Sequence, residues 1–236
     1  MLLMLCLCGS AWAQELTVTG KVTVRAGASK AEHADGSDVV VWLVPLDTAA
    51  VHREGADHRG ESSRFRIVQK QKRFAPHLLV VPVGAAVQFP NLDPFFHNVF
   101  SLFDGKRFDL GLYEAGSTRT VRFDRPGVCY IFCNIHPEMS AVVLVLDTPF
   151  YGISNASGEI QISGVPPGRY LLKVWYERCL PETLSSLGHE ITVSGNSASL
   201  GVIHVAASDN LLLVHKNKYG RDYDNPTPSG PLYGQP

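Results

Sequence analysis

The sequence predicts an all-β protein, because short β-rich runs recur along the chain while apolar residues at helical spacing are scarce. The runs are bounded by turn residues, as in the Asp-Arg-Pro-Gly of residues 124–127 and the Pro-Pro-Gly of residues 166–168. In such turns Pro fixes φ and Gly supplies a positive φ. The chain has 236 residues, enough for one large β core or two small ones. We expect two domains.

Each predicted strand is a run of Val, Ile, Leu, Phe, Tyr or Thr that ends at a turn signal. In chain order, the predicted strands are Leu16–Val24, Val39–Val44, Arg64–Lys70, His77–Val81, Ala86–Phe89, Thr118–Phe123, Gly127–Phe132, Ala141–Leu146, Glu159–Ile162, Tyr170–Tyr176, Glu190–Val193 and Gly201–Val205. Two segments break the pattern. Residues 48–63 are polar and predict a loop, and the Pro-rich tail from Asp209 is predicted to be extended or disordered.

The first 13 residues, Met1–Ala13, form an apolar run that ends in Ala-Trp-Ala, which predicts a signal peptide cleaved after Ala13. A membrane anchor would need about 20 apolar residues. A lipoprotein anchor at Cys6 or Cys8 is an alternative, although bulky leucines precede both. No later segment is long and apolar enough to span a membrane. We therefore expect a periplasmic or secreted protein.

The charge and the cysteine content limit the classes of function that the chain can have. The formal net charge is −1. The sequence lacks a cluster of Lys and Arg with interleaved aromatics, which is the pattern expected of a nucleic-acid binder. Cleavage of the leader would leave Cys129, Cys133 and Cys179, an odd number of thiols in an oxidising compartment. Such thiols pair between chains, stay free or bind metal. Met139 would be the one methionine left.

The most informative stretch is a β-rich run from Gly127 that ends in Cys133, His136 and Met139, a C-x2-H-x2-M loop. One thiolate, two imidazoles and a weak thioether suit a copper ion that cycles between Cu(I) and Cu(II). The best source of the second imidazole is His97, which follows a strand-like segment. Taken singly, these residues are more often a buried thiol or half a disulfide, a loop histidine, and a core methionine. Their grouping favours one metal site.

At these residues the sequence resembles the cupredoxins, and most closely the amicyanins. The shared features are the Phe-Pro-Asn of residues 89–91, the His-Asn of residues 97–98, and the Gly-to-Cys strand of residues 127–133 with the following Cys-x-x-His-Pro-x-Met loop. The resemblance covers residues 64–147. It implies a Greek-key β-sandwich that holds one copper ion and exchanges single electrons with a redox protein such as a cytochrome or a dehydrogenase, and that is not an enzyme.

The resemblance also implies a role for each residue. His97, Cys133 and His136 would be equatorial ligands and Met139 the axial one. Asn91 and Asn98 would support the ligands without binding the metal, and Asn98 would tie the two ligand loops together. The electron would leave through His136 beside Pro137, with Pro94, Phe95 and Phe96 as an apolar rim. Cys129 and Cys179 either form a disulfide or remain as free buried thiols.

The flanking segments resemble the two halves of a carboxypeptidase-regulatory-like, prealbumin-type β-sandwich. They carry Gly20-x-Val22, then Asn155-x-x-Gly158-x-Ile160, and then Val-Pro-Pro-Gly-x-Tyr170. The predicted layout is a signal peptide (1–13), the first part of this sandwich (14–47), a cupredoxin domain (64–147), its second part (148–207) and a tail (208–236). A cupredoxin domain followed by a separate small sandwich is the alternative layout.

Two other functions compete with electron transfer. In a non-redox binding or structural module, the same ligands would hold Zn or nothing. A copper oxidase or reductase would need another copper ion with an open position. The only plausible donors near the predicted copper site in the sequence are His33, His52, His58 and His77. Their spacing does not match a metal-binding pattern, so we interpret them as surface histidines. The hydrolase motif G-x-S-x-G is absent.

Overall fold

The computed structural model describes residues 15–26, 35–47, 65–102, 105–195, 198–208 and 216–223. These residues fall into two compact units. The first unit comprises residues 15–47 and 148–208, with the gaps given above, and the second unit comprises residues 65–147 and 216–223. The predicted signal peptide, the loop at 48–63 and the candidate donors His33, His52 and His58 lie outside the described residues.

The first unit contains two sheets that enclose one apolar core. One sheet has the strand order β14-β1-β17, and the other has the order β13-β2-β15-β16. Its elements are β1 (Leu16–Ala26), β2 (Val40–Pro45), β13 (Tyr151–Ile153), β14 (Glu159–Val165), β15 (Gly168–Trp175), α1 (Pro181–Leu187), β16 (His189–Val193) and β17 (Ala198–Ala207). Alternate residues of β14 are buried, as expected for a strand with one face on the core.

The second unit carries the predicted metal ligands. A sheet of order β6-β12-β11-β8-β9, a smaller sheet β10-β7-β3 and the hairpin β4-β5 surround its core. The strands are β3 (Phe65–Arg66), β4 (Val68–Lys70), β5 (Arg73–Ala75), β6 (Leu78–Pro82), β7 (Ala85–Pro90), β8 (His97–Ser101), β9 (Phe108–Tyr113), β10 (Thr118–Phe123), β11 (Gly127–Phe132) and β12 (Ser140–Leu146). Both cores are rich in Val; the core of the first unit adds Leu and Ile, and the core of the second unit adds Phe, and these side chains pack well on pleated surfaces.

The predicted all-β sandwich architecture is confirmed, with one short helix as the exception. Two predicted strands, Thr118–Phe123 and Gly127–Phe132, have the predicted bounds. Strands β5, β8, β9 and β13 were not predicted. All five residues of β8 are buried, so it lacks the polar alternation that marks a half-buried strand. Within β9 the positive φ of Gly111 interrupts the β-rich run.

Of the two states predicted for Cys129 and Cys179, the structure contains the free thiols and not the disulfide. Cys129, Cys133 and Cys179 are all free and buried, so the disulfide between Cys129 and Cys179 does not exist. Each of these two thiols is packed in the apolar core of its own unit. The Cys129 thiol lies 3.3 Å from both Ser101 Oγ and the Lys106 carbonyl. The alternative of free buried thiols is therefore the one that the structure supports.

Candidate metal centre

Three of the four predicted ligands converge in the second unit. His97 opens β8, Cys133 directly follows β11, and His136 lies in the loop between β11 and β12. Strands β8 and β11 pair through Phe100 and Phe132, which brings the two ligand segments together at one end of the sheet. Cys133 Sγ lies 3.8 Å from His97 Nδ1 and 3.6 Å from His136 Nδ1.

This spacing matches a single bound ion. Bonds of about 2.3 Å to sulfur and about 2.0–2.1 Å to nitrogen, at tetrahedral to trigonal angles, separate the S and N atoms by about 3.6–3.8 Å. The ligand atoms of His97, Cys133 and His136 all lie within 4.8 Å of one another. Among the described residues, this is the group of His, Cys, Asp and Glu side chains that could hold a metal ion.

Met139 closes the ligand loop. Its N–H donates to the carbonyl of His136 (3.0 Å), and its carbonyl accepts the N–H of Cys133 (3.3 Å). These bonds fold residues 133–139 into a tight turn, so both ends lie side by side. Met139 is fully buried and belongs to the same apolar core as Cys133. Met139 thus carries a buried thioether in the core that also contains Cys133.

The buried carboxylate of Asp93 bonds to His97 through the ring nitrogen that does not face Cys133. The sequence did not indicate this role for Asp93. His97 Nε2 lies 2.8 Å from Asp93 Oδ2, and both side chains are almost fully buried. A histidine whose Nε2–H bonds to a carboxylate presents Nδ1 to the metal, and the carboxylate makes that nitrogen a stronger donor. The tautomer that the site requires is therefore set by Asp93.

Asp93 is itself fixed by the backbone. It accepts N–H bonds from Gln71 (2.6 Å) and Lys72 (2.9 Å) in the turn between β4 and β5. Burial acts to raise the pKa of Asp93, but the bonds from Lys72, His97 and Gln71 outweigh it, so its pKa lies below the usual value. The group is a carboxylate at neutral pH. An Asp four residues before a histidine in a turn sequence is too common to predict this role.

Asn91 supports the same loop. Its side-chain N–H groups donate to the carbonyls of Phe95 (2.8 Å) and Tyr113 (3.3 Å), and its Oδ1 accepts the N–H of Asp93 (3.0 Å). Asn91 is fully buried. These bonds hold the turn that presents Asp93 and His97, which agrees with a supporting role for Asn91.

The side chain of Asn98 makes contacts that differ from the prediction. Its side-chain N–H groups donate to Asp109 (2.7 Å) and to the carbonyl of Gly111 (3.0 Å), both on β9. Its Oδ1 is buried without a hydrogen-bond partner. The Asn98 side chain is therefore bonded to β9 and not to the Cys133 loop, which differs from the predicted tie between the two ligand loops.

The electrostatic environment suits a metal-bound thiolate. Burial raises the pKa of the Cys133 thiol, while N–H bonds from Asn98, Ile135 and His136 partly offset it. Burial, with His97 and Lys72 nearby, lowers the pKa of His136, which keeps the imidazole neutral and able to ligate. A soft cation would displace the thiol proton, and the three N–H groups would then stabilise the sulfur charge.

One side of the site reaches the surface. His136 is half-buried, Pro137 and Pro94 are exposed, and the side chain of Phe96 is 51% exposed. The ring of Phe95 packs edge-to-face against His97 and at a tilt against His136, with centroid distances of 5.2 and 5.9 Å. His77, the one described candidate for a second copper site, lies 3.1 Å from the Ser140 carbonyl through Nδ1.

Comparisons with known proteins give structural matches only. No family model matches the chain, and no curated protein matches it. Among solved structures, it is similar to a Cu-containing nitrite reductase from Thermus scotoductus SA-01, with 24% identity over 36% of this chain and 22% of that chain, at a TM-score of 0.34. It is also similar to a purple cupredoxin from Nitrosopumilus maritimus, with 26% identity over 35% of this chain and 99% of that chain, at a TM-score of 0.32.

A third similar structure is a point mutant of amicyanin in its Cu(I) form, with 19% identity over 35% of this chain and 81% of that chain, at a TM-score of 0.33. Each of these three matches is confined to about a third of the chain. The matched region spans about a fifth of the nitrite reductase. In the described residues, no helix has the length and apolar character needed to cross a membrane.

Proposed function

We propose that this protein is an exported copper protein that carries single electrons between redox partners. Copper would be held by His97, Cys133, His136 and Met139 and would supply a one-electron couple. The observation that carries the proposal is the convergence of one thiol and two imidazole nitrogens within 4.8 Å of one another. This donor set is typical of electron-transfer copper sites.

The surroundings of the site favour electron transfer over catalysis. Four protein ligands leave no open position for a substrate, in contrast to catalytic metal sites. Electron transfer is fast when ligands barely move between oxidation states, and here packing and the bonds of Asp93 and Asn91 fix His97. His136, half-buried beside exposed Pro137, is the natural electron port. A cytochrome or a dehydrogenase is the expected class of partner.

The remaining chain fits an exported carrier. The apolar segment Met1–Ala13 would direct export to the periplasm or the medium. The second unit would be a cupredoxin domain, and the first unit a carboxypeptidase-regulatory-like sandwich that serves as a scaffold. The first unit has two sheets around one core, which agrees with this assignment.

Copper titration of the full chain tests the proposed function. Addition of Cu(II) should produce an intense blue or green colour at one ion per chain, and voltammetry should show one reversible one-electron wave. The thiol and imidazole spacing also suits tetrahedral Zn. A protein that remains colourless at full copper occupancy would contradict electron transfer and support the non-redox module.

The axial role of Met139 predicts a change in potential. Met139→Leu should keep copper but raise the reduction potential by about 60 mV or more, which is a tenfold change in preference between oxidation states for a one-electron couple. The reason is the loss of a weak donor that favours Cu(II). Voltammetry measures the shift, and Ile131→Val, an equally buried change in the same core, controls for repacking. A potential that stays constant or falls would exclude Met139 as the axial ligand.

A further inference from the structure

A short segment near the C-terminus packs against the metal ligand loop. Residues 216–223, here called the C-terminal strap, belong to the second unit. The hydroxyl of Tyr223 donates to the carbonyl of Cys133 (2.7 Å), and the N–H of Lys218 donates to Asn134 Oδ1 (2.9 Å). The strap therefore binds the ligand Cys133 and the residue that follows it.

The strap also reaches the second ligand segment. Lys218 Nζ lies 2.8 Å from Asp109 Oδ2, and the other oxygen of Asp109 accepts the Asn98 side-chain N–H (2.7 Å). A continuous set of hydrogen bonds thus joins the strap to the His97–Asn98 segment and to the Cys133–Asn134 segment.

The strap is internally ordered, which makes it an effective clamp. Asn217 Oδ1 accepts the N–H groups of Tyr219 (3.0 Å) and Arg221 (3.1 Å), and the Asn217 carbonyl accepts the N–H of Gly220 (2.9 Å). Such an Asx-type turn fixes the backbone of residues 217–221. The Lys218 contact to the ligand loop therefore lies within a turn of defined shape, and the Tyr223 contact follows two residues after it.

We infer that the C-terminal strap is part of the metal centre, with Tyr223 and Lys218 as positioning residues that hold the Cys133–Asn134 turn against the metal. This inference rests on the proposed copper function. The Tyr223 O–H donor withdraws charge from the carbonyl of a ligand residue. It therefore favours the less positively charged Cu(I) and raises the potential. The bond also limits opening of the loop, which slows copper loss.

Tyr223→Phe is the test, with Tyr219→Phe as the matched control. Tyr219 lies in the same strap, and its side chain is 72% exposed. In the full chain, Tyr223→Phe should speed copper transfer to a chelator about fivefold, the factor given by the net strength of one hydrogen bond. It should also lower the reduction potential by about 30 mV, a threefold change in preference for a one-electron couple. Tyr219→Phe should match the wild type in both measurements.

Amide hydrogen exchange in the metal-free protein provides a readout that does not need copper. Exchange of the residue 134–139 amides should be faster in Tyr223→Phe than in the wild type and the control. A blue wild type whose potential is the same in Tyr223→Phe would overturn the inference and leave the proposed function standing. A wild type that gives no colour with copper would refute the function, and faster exchange would then support only the loop-holding contact.

Discussion

Replacing Cys133 by Ser should abolish the visible colour of the copper-loaded protein, whereas replacing Cys129 by Ser should preserve it. The colour of such sites depends on a copper–thiolate bond, and a serine hydroxyl is a harder donor that stays protonated. Copper affinity should fall by at least about 10- to 100-fold, because changes to residues that merely support the ligands already cost that much. Absorption spectra with elemental analysis of bound copper measure both effects.

Cys129 is a suitable control because it matches Cys133 in burial and in being a free thiol. Both thiols are free and fully buried in the same core, and β11 carries Cys129 four residues before Cys133. The Cys129 sulfur faces Ser101 and the Lys106 carbonyl, and burial raises its thiol pKa. A serine can keep both hydrogen bonds. Loss of colour in Cys129→Ser, or its survival in Cys133→Ser, would contradict the assigned ligand.

The convergence of His97, Cys133 and His136 could be predicted from the sequence because the geometry of the candidate site is mostly local. Cys133 and His136 lie within a loop too short to separate them, so their spacing alone indicates a shared site. His97 required a second signal, the His-Asn that follows the Phe-Pro-Asn segment. The structure places its Nδ1 3.8 Å from the Cys133 sulfur. A distant residue was thus found through its own local pattern.

The supporting contacts of Asp93 and Tyr223 could not be predicted, because they join residues that carry no shared pattern. Asp93 follows an Asn-Leu pair and precedes Pro, which is an ordinary turn sequence. Its role arises only when the β4–β5 turn supplies the Gln71 and Lys72 N–H groups. Tyr223 lies 90 residues from Cys133 in a Pro-rich tail, and a hydroxyl–carbonyl bond has no sequence signature.

The structure explains the Asn-x-x-Gly spacing of residues 155–158. Asn155 Oδ1 accepts the N–H groups of Ser157 (3.0 Å) and Glu159 (2.9 Å), while the Gly158 N–H donates to the Asn155 carbonyl (2.8 Å). The Asn-x-x-Gly spacing thus builds the tight turn that starts β14. Gly158 has a φ of +78°, and its carbonyl accepts the N–H of Val22 on β1 (2.7 Å).

Gly158→Ala should therefore destabilise the first unit strongly. An added Cβ would lie 2.1 Å from the Val22 carbonyl oxygen, which is backbone and cannot rotate away. The left-handed conformation costs about 1–2 kcal/mol for a non-glycine residue, and overpacking adds about 1–3 kcal/mol, so the free energy of unfolding should fall by about 2–5 kcal/mol. Denaturant unfolding followed by tryptophan fluorescence measures this loss.

Gly195→Ala separates the clash from the backbone effect. Gly195 also has a positive φ, +76°, but an added Cβ there would meet nothing within 4 Å. The free energy of unfolding of that variant should fall by only about 1–2 kcal/mol, which is the cost of the left-handed conformation alone. Tryptophan fluorescence reports on the first unit for both variants, because Trp42 and Trp175 lie there and the second unit has no tryptophan. Equal losses in the two variants would mean that β1 yields to the added methyl group, and that close backbone approach is not why glycine occupies position 158.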